Sequence, residues 1–210
     1  MEITLASTDG PLCAAWERAF ANAGVRIHRG SILDIACDAL VSPANSFGFM
    51  DGGIDAVYSH HFGWDIQLQL RRVILDRHGG ELLVGSAEIV ETNHPVHPFL
   101  IAAPTMRVPM VLDPKTINPF LAMRAALLLV IRGTFSSGSF AGQAVQSRVR
   151  SIALPGLGTG VGRVPATLCA RQMRAAFDEF LLGRFQMPKS WAEASERHQS
   201  LYTDCPVRLQ

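Results

Sequence analysis

Short apolar runs rich in β-branched residues alternate with stretches of helical periodicity along most of the chain. This pattern predicts strands at residues 1–7, 25–28, 39–42, 87–92, 99–104 and 151–155. It predicts helices at residues 11–23, 52–61, 64–78, 116–131 and 165–182, and one more around residues 190–202. Strands that alternate with helices form a mostly parallel sheet covered by helices. We therefore expect an α/β fold that binds ligands beyond the carboxyl ends of its strands.

Two local expectations follow from the same pattern. Within the helix at residues 64–78, the apolar side chains Trp64, Leu68, Val73 and Leu75 fall on roughly one face. Residues 133–147 are rich in glycine and serine, which is typical of a flexible surface connection rather than a packed element.

Length and composition limit the domain organisation. The chain has 210 residues, of which 48% are hydrophobic and 18% charged, enough for a sizeable core. We expect residues 1–183 to form one domain and residues 184–210 a C-terminal tail, with one helix that packs on the domain. The net charge of +1 does not favour nucleic acid as a partner.

The cysteines and apolar runs suggest where the protein works. Four widely spaced cysteines, with no C-x-x-C pair, are typical of reduced thiols. The N-terminus lacks a basic segment followed by a long apolar one, and runs such as residues 125–131 are too short to span a membrane. We expect a soluble, cytoplasmic protein.

The first of two glycine-rich loops runs from Ser42 to Asp55, after a predicted strand and before a predicted helix. Gly52 and Gly53 allow close approach of the backbone to a ligand, and the helix that follows offers free N–H groups to an anion. Asn45 and Asp55 flank the turn and could converge on one substrate. The alternative is that Asn45 caps a turn and Asp55 the first turn of the helix.

The second loop, PGLGTGVGR at residues 155–163, also joins a strand to a helix. Its four alternating glycines would let successive N–H groups surround a phosphate. The spacing is neither G-x-G-x-x-G nor a P-loop, since Val161 stands where the former needs glycine and no Gly-Lys-Ser/Thr is present. Two anion-binding loops in one fold match a diphosphate.

The two loops carry a resemblance to a known family. Residues 30–55, GSILDIACDALVSPANSFGFMDGGID, resemble the macrodomain pattern of G-D-I, a buried strand, an N-A-A-N-type turn and G-G-G-V-D. The run PGLGTGVG resembles the family's second phosphate loop. The resemblance implies a three-layer α/β/α macrodomain with a mostly parallel mixed sheet, here with an extra N-terminal strand and helix. It also implies binding of ADP-ribose and, in many members, hydrolysis of ADP-ribosyl linkages.

Carried over by position, the resemblance assigns each part of the ligand. Ser31 and Ile32 would lie at the adenine, Asn45 would bind the distal ribose, and Asp55 would activate water. The remaining positions would hold the diphosphate from two sides: Gly52, Gly53 and Ile54 on the first loop, and Gly158, Thr159, Gly160, Val161 and Gly162 on the second.

The chain departs from the family pattern at both ends of the ligand. Ser31 replaces the carboxylate that reads adenine, and a hydroxyl is a weaker partner for an exocyclic amine. Asp34, three residues on, is a candidate substitute. Gly162 replaces the aromatic residue that often covers the distal ribose, which leaves that end open or covered by Phe47 or Phe49.

Two functions remain after these observations. The first is an enzyme that cleaves an ADP-ribosyl linkage on a protein or nucleic-acid substrate or on O-acetyl-ADP-ribose, and the second is a non-catalytic reader or sensor of ADP-ribose. We expect no cofactor and no metal. His94 and His97 form an H-x-x-H pair, but nothing near them in the sequence completes a metal site.

Overall fold

A computed structural model describes residues 1–207 of the chain. Its strands are β1 (Glu2–Ser7), β2 (Arg26–Arg29), β3 (Ala39–Ser42), β4 (Glu88–Glu91), β5 (Phe99–Ala102) and β6 (Ser151–Leu154). Its α-helices are α1 (Gly10–Ala19), α2 (Gly53–Phe62), α3 (Asp65–His78), α4 (Asn118–Arg132), α5 (Ala166–Ala176) and α6 (Trp191–Ser200). A π-helical turn at Phe177–Leu181 extends α5. Each predicted strand and helix is confirmed, with shifts at the ends.

The strands form one six-stranded sheet in the order β2-β1-β6-β3-β5-β4. All neighbours are parallel except β4 and β5, which are antiparallel. The first two strands of the chain thus form one side of the sheet, with β2 at its edge. This confirms the expected mostly parallel mixed sheet with an N-terminal extension.

Alternate residues of β3, β5 and β6 belong to different cores. In β3, Ala39 and Val41 pack with the side chains of α1, α4 and α5, whereas Leu40 packs with those of α2 and α3. Because successive side chains of a strand point to opposite faces, the sheet is covered by helices on both sides. The result is the expected three-layer α/β/α arrangement.

The predicted apolar face of α3 is wrong. Leu68 is 65% exposed and Leu75 58% exposed, whereas the buried side chains are Ile66, Leu70, Val73 and Ile74. These four recur at the 3–4-residue spacing of one helical face, and they pack on the sheet. Two apolar stripes compete in this helix, and the packing against the sheet selects the one that includes Leu70.

The segment at residues 133–147 packs against the core, and the expectation of a flexible surface connection is wrong. Phe135 and Val145 are buried in the larger core, and Thr134 pairs with Ala144 in an antiparallel bridge. Ser136 also donates a hydrogen bond to the buried Glu88, at 3.0 Å. Glycine and serine form the turns of this loop, while Phe135 and Val145 anchor it in the core.

The C-terminal segment contains the expected helix, α6, and it contacts α5. Arg171 of α5 forms an ion pair with Asp204 at 2.6 Å. Gln172 Nε2 donates to the carbonyl oxygen of Leu201 at 3.3 Å. The last three residues of the predicted tail, 208–210, lie outside the described residues. Within residues 1–207, none of the helices has both the length and the apolar character needed to cross a bilayer.

Candidate ligand-binding site

A cavity of about 800 Å³ opens at the carboxyl ends of four strands. Ser7 ends β1, and the wall continues with Pro43 after β3, Thr105 after β5 and Pro155 after β6. This edge of a parallel sheet is where α/β folds bind ligands, since loops and helix N-termini converge there. The volume lies in the upper part of the usual range for small-molecule sites, about 300–1,000 Å³.

The structure brings together eleven of the twelve residues assigned to the site. They line this one cavity and are Ser31, Ile32, Asn45, Gly52, Gly53, Ile54, Asp55, Gly158, Thr159, Gly160 and Val161. The exception is Gly162, which is buried behind the second loop. Its carbonyl oxygen accepts the N–H of Leu112 at 3.0 Å, and a Cβ there would lie 2.5 Å from the Gly158 oxygen. Glycine at position 162 therefore serves the packing of the loop.

The second loop is held by its own backbone. The N–H of Val164 donates to the Gly158 oxygen and that of Arg163 to the Gly160 oxygen, both at 3.0 Å. Gly158 has φ +72°, a left-handed conformation that favours glycine. A Cβ on Gly160 would meet no atom of residues 1–207 within 4 Å, so the space above this residue belongs to the cavity.

Asn45 holds the first loop in shape. Its Oδ1 accepts the N–H groups of Phe47 and Phe49 at 3.1 and 3.2 Å, and its Nδ2 donates to the Phe49 oxygen at 2.8 Å. The turn-capping interpretation of Asn45 therefore describes most of its hydrogen bonds. One N–H of the side-chain amide remains for another partner.

The start of α2 faces the cavity through glycine. Gly52 precedes the helix, and Gly53, its first residue, has φ +56°. A Cβ on either residue would meet no atom within 4 Å. The first N–H groups of a helix have no partner within it, so this end of α2 offers donors to an anion.

Asp55, in the first turn of α2, is a carboxyl group in the cavity wall whose pKa differs strongly from that of a free aspartate. It is only 8% exposed, and the buried hydroxyl of Ser42 donates to its Oδ1. Burial raises the pKa of Asp55 to about 7, while the hydrogen bond from Ser42 opposes that change. A carboxyl group of this kind exchanges protons near neutral pH.

The adenine end of the site has no carboxylate at position 31. The Ser31 hydroxyl accepts the N–H of Leu33 at 3.2 Å and so caps the short 3₁₀ turn that follows. Asp34 does not line the cavity; its Oδ2 lies 3.7 Å from Nε2 of His28. Asp34 therefore does not take the place of the missing carboxylate.

Of the two candidate covering aromatics, only Phe49 lines the cavity. It is 46% exposed, and the Arg71 guanidinium lies 4.1 Å from its ring centre. A cation over an aromatic face is attracted to it, so Arg71 holds this ring in place. Phe47 instead lies beside Arg107 and outside the cavity lining.

Sequence analysis missed the residues at the carboxyl ends of β1 and β5 that line the cavity. Ser7 and Thr8 line the cavity from one side, and Thr105 and Met106 from the other. Thr105 donates its hydroxyl to the Pro43 oxygen at 2.9 Å, which ties two of the strand ends together. The positions of these residues in the sequence could have identified them, because all parallel strands present their carboxyl ends at this edge of the sheet.

A cluster of three histidines lies outside the cavity lining. His61, at the end of α2, joins His94 and His97 of the β4–β5 loop, with one nitrogen of each ring within 4.8 Å of the others. The sequence offers no third ligand near the His94/His97 pair, but the fold places His61 beside it. His61 is 33 residues from His94 in sequence, and only the fold brings them together.

The family comparison agrees with this geometry. A family model described as the Macro domain matches residues 41–173, which contain both glycine loops. This chain belongs to the macro domain family. It is also 32% identical over 149 residues to an uncharacterized protein of Aquifex aeolicus, a match that spans 71% of this chain and 78% of that protein.

Solved structures support the same fold for this macro domain. The Oceanobacillus iheyensis macrodomain with ADP matches with a TM-score of 0.58 at 20% identity, covering 82% of this chain and 84% of that one. The macrodomain of Mycobacterium tuberculosis DarG matches with a TM-score of 0.55 at 18% identity, covering 71% and 87%. Both therefore share the three-layer fold.

Proposed function

We propose that this macro domain binds ADP-ribose, or a closely related nucleoside-diphosphate ribose, in the cavity at the strand ends. The observation that carries the proposal is the pair of glycine loops that line one cavity of about 800 Å³. The family relationship supports it. The Oceanobacillus iheyensis protein with the same fold has been solved with ADP, and a variant of it with ADPR.

The diphosphate would lie between the two loops. On one side are the free N–H groups at the start of α2, and on the other the backbone of Gly158 to Val161. Both loops leave the space in front of their glycines open, because neither Gly53 nor Gly160 has a protein atom within 4 Å of a Cβ position. Backbone N–H groups at a helix start or in a glycine loop favour a negative charge.

We further propose that the site hydrolyses an ADP-ribosyl linkage on a modified protein or nucleic acid, with Asp55 as the general base. Asp55 would take a proton from water while the water oxygen bonds to the anomeric carbon and the bond to the acceptor group breaks. The pKa of about 7 supports this role, since a base is most effective when its pKa is near the working pH. Its position in the cavity wall supports contact with the bound water.

A second candidate function is a non-catalytic reader of ADP-ribose. The hydrogen bonds of Asn45 favour it, because Oδ1 and one N–H of Nδ2 are already used within the first loop. Only one N–H is then left to position the distal ribose for attack. Ser31 favours the reader function as well. Its hydroxyl gives only a weak contact to adenine, which suffices to recognise a modification but holds a substrate less firmly for a reaction.

One pair of measurements separates these functions. Calorimetric titration with ADP-ribose and with AMP should show tighter binding of ADP-ribose, because only the diphosphate engages both loops. Release of ADP-ribose from ADP-ribosylated protein and nucleic acid should then be slow but measurable. If the protein binds ADP-ribose but releases none from these substrates, the reader function alone remains. Failure to bind either nucleotide would overturn both candidate functions.

Two wider proposals concern the whole chain. We propose that residues 1–183 form the macro domain and that α6 is an appendage to it, supported by the contacts of Asp204 and Leu201 with α5. We also propose a cytoplasmic location. Three of the four cysteines are buried thiols, and burial raises the pKa of Cys37 and Cys169 to about 12, which suits unreactive, reduced side chains.

A further inference from the structure

Three histidines meet at the edge of the sheet opposite the cavity. His97 lies two residues before the start of β5, and His94 belongs to the same loop. His61 lies in the last turn of α2, whose first residue, Gly53, lines the cavity at the other end of the helix. The cluster is therefore separate from the nucleotide site and does not depend on the function proposed for it.

The spacing of the ring nitrogens matches that of metal ligands. His61 Nε2 lies 3.2 Å from His97 Nδ1, and the chosen nitrogens of all three rings lie within 4.8 Å of one another. Two nitrogens bound to one tetrahedral Zn²⁺ at about 2.0–2.1 Å are separated by roughly 3.3 Å. His61 and His97 are joined here by a hydrogen bond, and His94 Nδ1 accepts the N–H groups of Val96 and His97, both at 3.3 Å, so an ion would take the place of these hydrogen bonds.

His97 is already held in the form that a metal requires. It is 1% exposed, and its Nε2 lies 2.8 Å from the carbonyl oxygen of Ile35. A carbonyl oxygen can only accept, so Nε2 carries the proton and Nδ1 presents its lone pair to the cluster. Metal-bound histidines typically have this arrangement, because a fixed outer hydrogen bond sets the orientation of the ring.

The other two rings leave the cluster open to solvent. His61 and His94 are half-buried, so an ion could enter beside them. Histidine binds a metal through a ring nitrogen that carries no proton.

We propose that His61, His94 and His97 form a binding site for Zn²⁺ or a chemically similar divalent ion, with a fourth coordination position open to solvent. Imidazole ligands suit Zn²⁺, Ni²⁺ and Cu²⁺, whereas Mg²⁺ and Ca²⁺ need oxygen ligands. Among the described residues, the cluster contains histidine nitrogens alone. Three protein ligands with an open fourth position differ from a closed structural zinc site.

The position of the site in the fold implies that a bound ion would stabilise the native structure. It would join the end of α2 to the β4–β5 loop, two elements linked here by the contact between His61 and His97. Metal bound to the folded chain alone stabilises it by mass action. We therefore expect Zn²⁺ to raise the thermal unfolding temperature.

The test is a titration of the chelator-treated full chain with Zn²⁺ at neutral pH, against a chromophoric competitor. Cys205 is exposed, so a Cys205→Ser background removes an unrelated thiol ligand. We expect one ion per chain. His61→Ala and His94→Ala should each weaken binding by about 100-fold or more, since loss of an outer partner alone costs about 10–100-fold.

The control is His60→Ala. His60 neighbours His61 in sequence but is exposed, and its Nδ1 lies 2.6 Å from the Ala56 oxygen, outside the cluster. Its substitution should leave Zn²⁺ affinity unchanged. Substitution of Co²⁺ should give the intense visible absorption of a tetrahedral site in the background protein, and that absorption should be lost in His61→Ala.

Two results would overturn the proposal. One is the absence of one-to-one Zn²⁺ binding by the folded protein, and the other is undiminished binding by the doubly substituted His61→Ala/His94→Ala chain. Both substitutions affect half-buried rings outside the nucleotide cavity. ADP-ribose binding measured on the same samples therefore reports on the folding of the variants and on the cavity independently of the metal.

Discussion

The two glycine loops occupy opposite sides of one cavity but are built differently. The first loop is held by side chains: Asn45 caps its turn, Gln67 accepts the N–H of Met50 at 2.7 Å, and Ser42 donates to Asp55. The second loop is held by backbone hydrogen bonds, such as that from Val164 to Gly158. Among the cavity-lining residues of the second loop, none is titratable.

This difference suggests that the two loops have different roles in binding and in chemistry. A loop held by backbone contacts presents N–H groups whose direction does not depend on protonation, which suits the binding of a diphosphate. The first loop offers an anion site as well, at the start of α2, and adds the carboxyl group of Asp55. Chemistry should therefore depend on the first loop, whereas the second should affect binding alone.

The largest expected effect comes from filling the second loop. Gly160→Val should weaken ADP-ribose binding by several kcal/mol, because its side chain would enter space that now contains no protein atom within 4 Å. Gly10→Val is the matched control, since Gly10 is equally unobstructed but lies outside the cavity. Calorimetry on both variants would measure the loss of ADP-ribose binding, and thermal unfolding would check that each variant is folded. Equal binding by both would remove the second loop from the site.

Next in size is the loss of the carboxyl group on the first loop. Asp55→Ala should reduce the rate of ADP-ribose release by about 100-fold or more, a typical scale for a lost general base. It should still bind ADP-ribose, because the glycine backbone is unchanged. Single-turnover assays beside calorimetry provide the comparison. Full activity in Asp55→Ala would assign the catalytic role to another residue.

At the adenine end, Ser31→Asp should increase the preference for adenine over guanine by about 1–3 kcal/mol, the scale of a hydrogen bond to a charged group. Aspartate is a good cap for a helical turn, so the contact with Leu33 should survive. Titrations with ADP-ribose and its guanine analogue on both proteins give the difference. If the native protein already rejects guanine strongly, a residue other than Ser31 reads the base.

A pH profile tests the first loop by a different route. Below about pH 7, activity should rise about tenfold per pH unit as Asp55 loses its proton, and it should level off above that value. Binding of ADP-ribose by the second loop should change little over the same range. A flat profile of activity would contradict the assignment of Asp55.

The same pKa has a consequence for stability. Because folding raises the pKa of Asp55 from its ordinary value near 4 to about 7, the native state binds the proton more tightly than the unfolded state in that window. The contribution of this group to the free energy of unfolding therefore falls as pH rises from about 4 to 7. Asp55→Asn should remove that slope in denaturant titrations across the window.

The smallest effect concerns the turn of the first loop. Asn45→Ala should lower the free energy of unfolding by about 1–2 kcal/mol, because the N–H groups of Phe47 and Phe49 lose their acceptor. Asn45→Asp keeps the acceptor oxygen for these two N–H groups but replaces the donor with a second, charged oxygen beside the Phe49 carbonyl. If Asn45 also contacts the ribose, the Asp variant should keep more stability than the Ala variant yet bind ADP-ribose more weakly. Equal binding by Asn45→Asp and the native protein would restrict Asn45 to its structural role.

The order of strands and helices was predictable because its signals are local. A period of two or of 3.6 residues, and a glycine between a strand and a helix, act over a few neighbours whatever the rest of the chain does. For this reason β3, α2 and both loops lie close to where the sequence predicts them. Sequence alone thus determined the α/β class and the edge of the sheet where a ligand would bind.

Only the tertiary structure decided which of these residues act together. The raised pKa of Asp55 needs the burial that the surrounding elements provide, and Gly162 packs against Leu112, fifty residues earlier in the chain. The meeting of His61 with His97 depends on α2 ending beside the β4–β5 loop. Dehydration and close contact between distant residues follow from the order of strands in the sheet, which no local pattern of apolar residues or glycines specifies.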